Sequence, residues 1–212
     1  EEAFVQECGA IFHMRLQPAY LRILDLSNHG LLHVPSLFHF PSLTTLNLSN
    51  NSIAFLPTQI SDLHGMRFLQ LDNNFLSFIP DLSRLPELQE LRVQGNRIVS
   101  LHSSLGTRLK LEVLYIGRNP LTALPDLTGC VALRLLWMAE CRFTSLPLMI
   151  ADIPNLTGLY AEGNPLKFPG PGVYERGGNE AVLKFLRDIA DNKREQLEID
   201  RIRKEKADLA AE

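Results

Sequence analysis

The stretch LEVLYIGRNPL, residues 111–121, decides the fold, because its pattern LxxLxLxxNxL returns along most of the chain. Seven segments follow this pattern, and successive segments start 22 or 23 residues apart. They begin at Leu21, Leu43, Met66, Leu88, Leu111, Leu133 and Leu156. A register that shifts by no more than one residue is typical of a repeat protein. The sequence therefore predicts an α/β solenoid of stacked units rather than a single globular core.

Each segment is predicted to contain a short strand, in which side chains alternate between two faces. In the fifth unit Leu114 and Ile116 then point inward, and Val113, Tyr115 and Gly117 point outward. Stacking the units places seven strands in one parallel sheet. The short segments between strands leave room for 3₁₀ or single helical turns on the opposite, convex side.

The Asn after each strand is predicted to turn inward, where its amide can bond backbone groups of adjacent turns. Five units carry it, at Asn51, Asn74, Asn96, Asn119 and Asn164. His29 occupies this position in the first unit and Cys141 in the sixth. Both side chains can donate a hydrogen bond, so a structural role is expected for each.

Six of the seven units continue into an apolar residue followed by proline, as in Leu56-Pro57 and Leu124-Pro125. The last unit runs into NPLKFPGPGVYERGGNEAVLKFLRD, residues 164–188. In both features the chain resembles the intracellular leucine-rich-repeat proteins of the Ras-suppressor type. The resemblance implies a leucine-rich-repeat horseshoe with a concave parallel sheet. It also implies a role as a scaffold for small GTPases, phosphatases, or cytoskeletal and ciliary assemblies.

The two ends of a repeat array need covering, because they expose apolar side chains and unpaired strand edges. Residues 1–20 carry apolar residues at helical spacing and are predicted to form an N-terminal cap. The seven repeats occupy 21–178, and an apolar stripe over 179–190 predicts a capping helix. The charged segment 191–212 predicts a projecting helix. This helix is either a solvated tail or a surface that pairs with a helix of another subunit.

Composition and motifs favour an interaction protein over an enzyme. The net charge is −3 with both signs scattered, which is unlike the basic footprint of a nucleic-acid binder. No phosphate-binding glycine loop, zinc spacing or catalytic set is recognisable, so no cofactor, metal or active site is predicted. No stretch approaches the roughly 20 apolar residues of a membrane span.

Cysteine usage indicates the compartment. Cys8, Cys130 and Cys141 form an odd set without CxxC spacing, which favours a reducing cytoplasm. Glycosylation sequons at Asn47, Asn50 and Asn155 favour a secreted protein instead, although the repeat pattern itself generates such triplets. An association with the cytoskeleton or a cilium is implied by the resemblance alone.

The outward strand positions predict a partner-binding surface on the concave face. The central outward row is polar in its first half and ends in Tyr115, Trp137 and Tyr160. Small residues beside them, Gly117 and Ala139, are expected to leave the rings accessible. Aromatic residues and Arg are enriched at binding hot spots. The rest of the predicted surface consists of Val113, Leu135, Arg92, Arg118, Arg142, Glu140 and Glu162.

Three functions follow from these features. The first is a non-enzymatic scaffold that binds a protein on its concave face and is anchored in an assembly by its C-terminal helix. The second is the recognition domain of a larger signalling enzyme, such as a kinase, GTPase or ubiquitin ligase. The third is an extracellular receptor domain. Trp137→Ala is expected to weaken partner binding while changing stability little.

Overall fold

The computed structural model describes residues 20–37, 40–106 and 110–211. Seven strands of three residues each lie in chain order in one parallel sheet. They are β1 (Ile23–Asp25), β2 (Thr45–Asn47), β3 (Phe68–Gln70), β4 (Glu90–Arg92), β5 (Val113–Tyr115), β6 (Leu135–Trp137) and β7 (Gly158–Tyr160). The predicted solenoid with a parallel sheet is confirmed. The predicted N-terminal cap lies, apart from Tyr20, outside the described residues.

The strands pair in the register that the repeat pattern predicts. Leu114 at the centre of β5 aligns with Leu91 on one side and Leu136 on the other. These central leucines are fully buried, while the residue on either side of each remains partly exposed. Each repeat thus buries its apolar edge only against its neighbours, which is how a solenoid builds a continuous core.

The inward asparagines tie neighbouring repeats together. The Asn96 amide donates to the carbonyls of Leu71 (2.9 Å) and Val93 (3.0 Å), and its Oδ1 accepts from the Leu76 N–H (3.0 Å). Asn51, Asn74 and Asn119 make equivalent contacts, so buried backbone groups that strands leave unpaired find partners. The predicted role of these residues is confirmed.

His29 and Cys141, which replace the inward Asn in the first and sixth repeats, differ in their contacts. Cys141 is buried, and its thiol donates to the Ile116 carbonyl at 3.5 Å. His29 is exposed, and its Nδ1 lies 2.6 Å from the Ser27 carbonyl oxygen of its own turn. Among the described residues no repeat precedes the first one, so none of them offers His29 the carbonyls that the inward asparagines bond.

The turn after each strand contains a residue with positive φ, one place before the inward Asn. The seven residues are Asn28, Asn50, Asn73, Gly95, Arg118, Glu140 and Gly163. Asn and Gly tolerate this left-handed conformation, whereas Arg118 (φ 54°) and Glu140 (φ 53°) adopt it against their own preference. The repeat turn therefore imposes its backbone geometry whichever residue occupies the position.

Three 3₁₀ helices in the described ranges connect strands on the side away from the sheet, at Thr58–Asp62, Ser103–Gly106 and Leu148–Asp152. The chain ends in helix α1 (Pro171–Ala211), which is interrupted by non-helical backbone at Gly177 and Gly178. The helical turns before the break were not predicted. The helix after the break starts near Asn179, as the sequence predicts.

The first part of α1 after the break packs on the end of the solenoid. Val182, Leu183, Leu186 and Ala190 are buried against β7 and the 3₁₀ helix Leu148–Asp152. The Arg187 guanidinium donates to the Leu156 carbonyl at 2.6 Å, which adds a polar contact to this apolar seam. From residue 191 to 204 the side chains are exposed.

Candidate functional site

Three aromatic side chains lie side by side on the outward face of the sheet. Tyr115, Trp137 and Tyr160 occupy aligned positions in β5, β6 and β7. The Trp137 and Tyr160 rings are stacked, with centroids 4.6 Å apart and planes 17° apart. The Tyr115 and Trp137 centroids are 5.9 Å apart with a 32° tilt. We call this row of three rings in contact the aromatic ridge.

Arg92 extends the aromatic ridge by one strand. Its guanidinium carbon lies 4.7 Å from the centroid of the Tyr115 ring, within the range of a cation–π contact. The same guanidinium forms an ion pair with Glu90 on β4. Burial raises the pKa of the nearby Asp72 carboxyl, although the Arg92 charge acts in the opposite direction. The ridge thus ends in a cation that two carboxylates surround.

The Trp137 ring packs against the backbone of a neighbouring small residue, Gly117. A Cβ added to Gly117 would lie 2.9 Å from Cδ1 of Trp137 and 2.8 Å from the Ala139 carbonyl oxygen. The three rings are consequently half-buried, with their outer surfaces open to solvent. The rings are accessible only in part, because a large ring beside a glycine fills the space that the missing side chain leaves.

We expect Gly117→Ala to destabilise the protein by about 1–3 kcal/mol, the usual cost of overpacking. The added methyl group would push the Trp137 ring toward solvent and press on the Ala139 backbone. Trp137 is the only tryptophan, so urea unfolding followed by fluorescence reports both effects. Gly170→Ala is the control, since nothing lies within 4 Å of a Cβ there. An unchanged spectrum and midpoint for Gly117→Ala would contradict the described ring position.

The other predicted site residues divide between the ridge and its edges. Val113 and Leu135 are half-buried on the same face, next to the rings. Arg118 and Glu140 form an exposed ion pair at 3.1 Å in the turns that follow β5 and β6. Arg142 lies further along its turn, where its N–H donates to the Leu121 carbonyl. It is therefore beyond the sheet edge and not beside the rings.

Glu162 connects the sheet face to the C-terminal helix. The Tyr174 hydroxyl lies 2.9 Å from a Glu162 carboxylate oxygen and 2.6 Å from Oδ1 of Asn179. Burial and the Glu162 carboxylate raise the pKa of this phenol, so it stays protonated and donates. The Asn179 Oδ1 also accepts from the Ala161 N–H at 3.4 Å. Glu162 is thus engaged by the helix rather than left free as a rim residue.

The described ranges hold no group of three His, Cys, Asp or Glu side chains that could bind a metal ion. Cys130 and Cys141 are free and buried, and burial raises the pKa of the Cys130 thiol to about 11. Both thiols are thus poor nucleophiles. Among the described helices, none combines the length and the apolar character that crossing a bilayer requires.

The structure also exposes apolar side chains that the sequence interpretation did not single out. They follow the inward Asn positions of the first four repeats and consist of Leu32, Phe55, Phe75, Phe78 and Val99. A signal was available, because these residues recur at three fixed positions of the repeat, the first, third and fourth after the inward Asn position. This signal is weaker than strand alternation, because a turn has no two-residue period that separates inward from outward side chains.

Comparison with known proteins supports the fold. Residues 19–76 match the leucine-rich-repeat family model. Among solved structures, the functional domain of InlJ from Listeria monocytogenes is 24% identical, with a TM-score of 0.59 over 71% of this chain and 32% of that chain. The internalin InlF from the same organism is 19% identical, with a TM-score of 0.62 over 71% and 45%. No curated protein matches the chain.

A third similar structure is the Arabidopsis receptor kinase HAESA, in a complex with the peptide hormone IDA and the co-receptor SERK1. It is 31% identical, with a TM-score of 0.62 over 68% of this chain and 26% of that chain. The chain spans less than half the length of each of these three proteins. Together with the seven-stranded sheet, the matches define a leucine-rich-repeat solenoid, a fold that generally mediates protein–protein interaction.

Proposed function

We propose that this chain is a non-enzymatic interaction scaffold that binds a partner protein across the aromatic ridge. The observation that carries the proposal is the unbroken row of contacts from Arg92 through Tyr115 and Trp137 to Tyr160 on the outward face of the sheet. Tyr, Trp and Arg dominate binding hot spots because they offer large, rigid contact areas with a polar tip. Here they stand in one row, already ordered by their mutual contacts.

The two halves of the central outward row differ in character, and this difference supports a localised site. The first half consists of Asp25, Asn47 and Gln70, which are polar and suit a solvated sheet face. The second half concentrates the rings, with Val113 and Leu135 alongside. The fold requires only the inward residues to be apolar, so core formation does not explain why aromatic rings occupy the outward positions.

The C-terminal helix supplies the proposed anchor. Residues 179–190 close the end of the solenoid, and 191–212 are proposed to project and to pair with a helix of another subunit. Leu197, Ile199 and Ile202 are exposed on the described part of this segment. Ion pairs within the helix, such as Arg201–Glu198 at 2.7 Å, support it without a partner. The proposed setting is a cytoplasmic signalling, cytoskeletal or ciliary assembly.

A second candidate is the recognition domain of a larger signalling protein. The similarity to the receptor kinase HAESA, solved with its peptide hormone, favours this possibility. The glycosylation sequons favour an extracellular location, and two of their asparagines, Asn50 and Asn155, are exposed. Expression through a eukaryotic secretory pathway and mass spectrometry of Asn47, Asn50 and Asn155 would discriminate the two compartments. Unmodified sites would remove the support for a secreted receptor.

The proposed function is tested by quantitative affinity capture from the native cell. The test variant carries alanine at Tyr115, Trp137 and Tyr160, and the matched control carries alanine at Asp25, Asn47 and Gln70 of the same row. We expect the ridge variant to lose its partner and the control to keep it. With the captured partner purified, Trp137→Ala alone should weaken binding by about 2 kcal/mol or more, roughly 30-fold. If wild type, the ridge variant and the control variant captured the same set of proteins, the ridge would be refuted as the binding site.

A further inference from the structure

The turns that leave the strands form a second continuous surface. This surface lies on the side of the solenoid where the chain leaves the strands, and we call it the flank. In each repeat it consists of the first, third and fourth residues after the inward Asn position. Neighbouring repeats are joined there by backbone hydrogen bonds. Ser52 N–H donates to the Leu31 carbonyl (2.8 Å), and Phe75 N–H donates to the Ile53 carbonyl (2.9 Å). Corresponding flank positions are therefore aligned from repeat to repeat.

The flank of the first four repeats is apolar and exposed. The exposed fractions are 64% for Leu32, 61% for Phe55, 45% for Phe75, 46% for Phe78 and 61% for Val99. The Phe55 and Phe78 rings are in tilted contact with centroids 6.3 Å apart. The Arg97 guanidinium carbon lies 4.4 Å from the Phe75 ring centroid. These side chains form one patch, which spans three strand spacings, or about 14 Å.

The fold does not require apolar residues at these positions. The fourth flank position holds Phe55 and Phe78 in repeats two and three, but Ala123 and Ser145 in repeats five and six. The residue between the flank positions, such as Leu76, is the one that enters the core. Large exposed aromatic side chains lower solubility and add nothing to this core, so a contiguous patch of them indicates a binding surface.

The charge on the flank indicates what binds there. None of the residues at the three flank positions of the seven repeats is Asp or Glu, although the chain has a net charge of −3. Arg97, Arg142 and Lys167 are exposed at these positions and carry positive charge. An acidic partner would meet complementary charge here, and on the sheet face it would meet carboxylates such as Glu90 and Asp72.

We propose that the flank binds a short acidic segment of a partner protein. Apolar side chains of this segment pack on Phe55, Phe78 and Val99 in repeats two to four, and its carboxylates face the cations of repeats four to seven. A protein segment fits better than a membrane, because anionic lipids are recognised by clusters of four to eight basic residues. The three flank cations are instead spread over repeats four, six and seven. Their spacing suits carboxylates placed along a peptide. This surface is separate from the aromatic ridge, which lies on the sheet face.

The test uses the full chain and a random 16-residue peptide library displayed on phage. Selection on wild type is followed by counter-selection on a flank variant with Phe55→Ser, Phe78→Ser and Val99→Ser. We expect the surviving peptides to be enriched in Asp or Glu together with aromatic or branched apolar residues. The best peptide should bind the flank variant at least tenfold more weakly, and Arg97→Glu should also weaken it. Fluorescence anisotropy of the labelled peptide measures both effects.

The matched control replaces equally exposed apolar residues elsewhere, Ile23→Ser and Val131→Ser, and should leave peptide affinity unchanged. Thermal unfolding of both variants reports whether they fold. The ridge triple-alanine variant should bind the peptide normally, which separates this proposal from the proposed function. Peptides without acidic enrichment, or equal affinity for the flank variant, would overturn the proposal.

If something other than an acidic segment occupied the flank, the proposal would also be overturned. A separate measurement detects each alternative occupant. A wild-type dimer in light scattering that the flank variant abolishes would assign the surface to a second copy. Flank-dependent binding to phosphatidylserine vesicles would assign it to a membrane. Displacement of the selected peptide by a synthetic peptide of residues 1–19 would assign it to the N-terminal segment of this chain.

Discussion

Leu136→Ala is expected to lower the free energy of unfolding by about 2–5 kcal/mol, whereas Trp137→Ala one residue further should cost less, about 1–3 kcal/mol. Leu136 is fully buried between Leu114 and Leu159 of the neighbouring strands, so its truncation leaves a cavity that two repeats share. Trp137 loses two aromatic contacts, each worth about 0.5–1.5 kcal/mol beyond burial, but its outer face is already in solvent.

Urea unfolding monitored by circular dichroism measures both variants, because the Trp137 variant has lost its fluorescent probe. Leu135→Ala is a second outward control and should resemble Trp137→Ala, since Leu135 is half-buried on the same face. If Trp137→Ala proved as costly as Leu136→Ala, the aromatic ridge would be part of the core. The proposal of a ridge-mediated interface would then lose its physical basis.

Asn96→Leu is expected to destabilise the protein by about 3 kcal/mol or more, although the two side chains have the same number and branching of non-hydrogen atoms. The leucine would leave the Leu76 N–H and the carbonyls of Leu71 and Val93 without the amide that now bonds them. Each buried polar group left unsatisfied costs about 1–3 kcal/mol. The same urea experiment measures the loss.

The sixth repeat allows the opposite substitution, in which an inward asparagine is introduced instead of removed. The Cys141 thiol donates one weak hydrogen bond, to the Ile116 carbonyl, where the amide of other repeats donates two or more, so Cys141→Asn should stabilise the protein by about 1 kcal/mol. Asn155→Ala is the control, because this exposed asparagine donates one hydrogen bond, to the Val131 carbonyl. Its loss should cost less than about 1 kcal/mol. A neutral Asn96→Leu variant would show that backbone rearrangement or water replaces the amide.

Much of the candidate surface could be predicted from the sequence, but its packing could not. The two-residue period of each strand places Tyr115, Trp137 and Tyr160 on the outward face, and parallel stacking aligns them. Whether those rings stand free or rest on Gly117 depends on side-chain rotamers. These rotamers are chosen among neighbours from adjacent repeats, which lie 22 or 23 residues away in sequence.

The flank escaped prediction for a related reason. Its positions fall in turns, where no short period distinguishes inward from outward side chains. Only the stacking of repeats brings Phe55 against Phe78 and Arg97 over Phe75. The same applies to Arg118 and Glu140, because their side chains give no hint of the left-handed backbone that the turn imposes.

By itself, the sequence determined the number of repeats, the strand register, the inward leucines and the inward asparagines. These features follow from local periodicity and from the need of every buried polar group for a partner. The tertiary structure alone decided that His29 stays exposed, that Glu162 is held by Tyr174, and that helical turns precede the break at Gly177 and Gly178. Each depends on which repeat or helix lies at contact distance, and the repeat pattern of a single unit does not specify that.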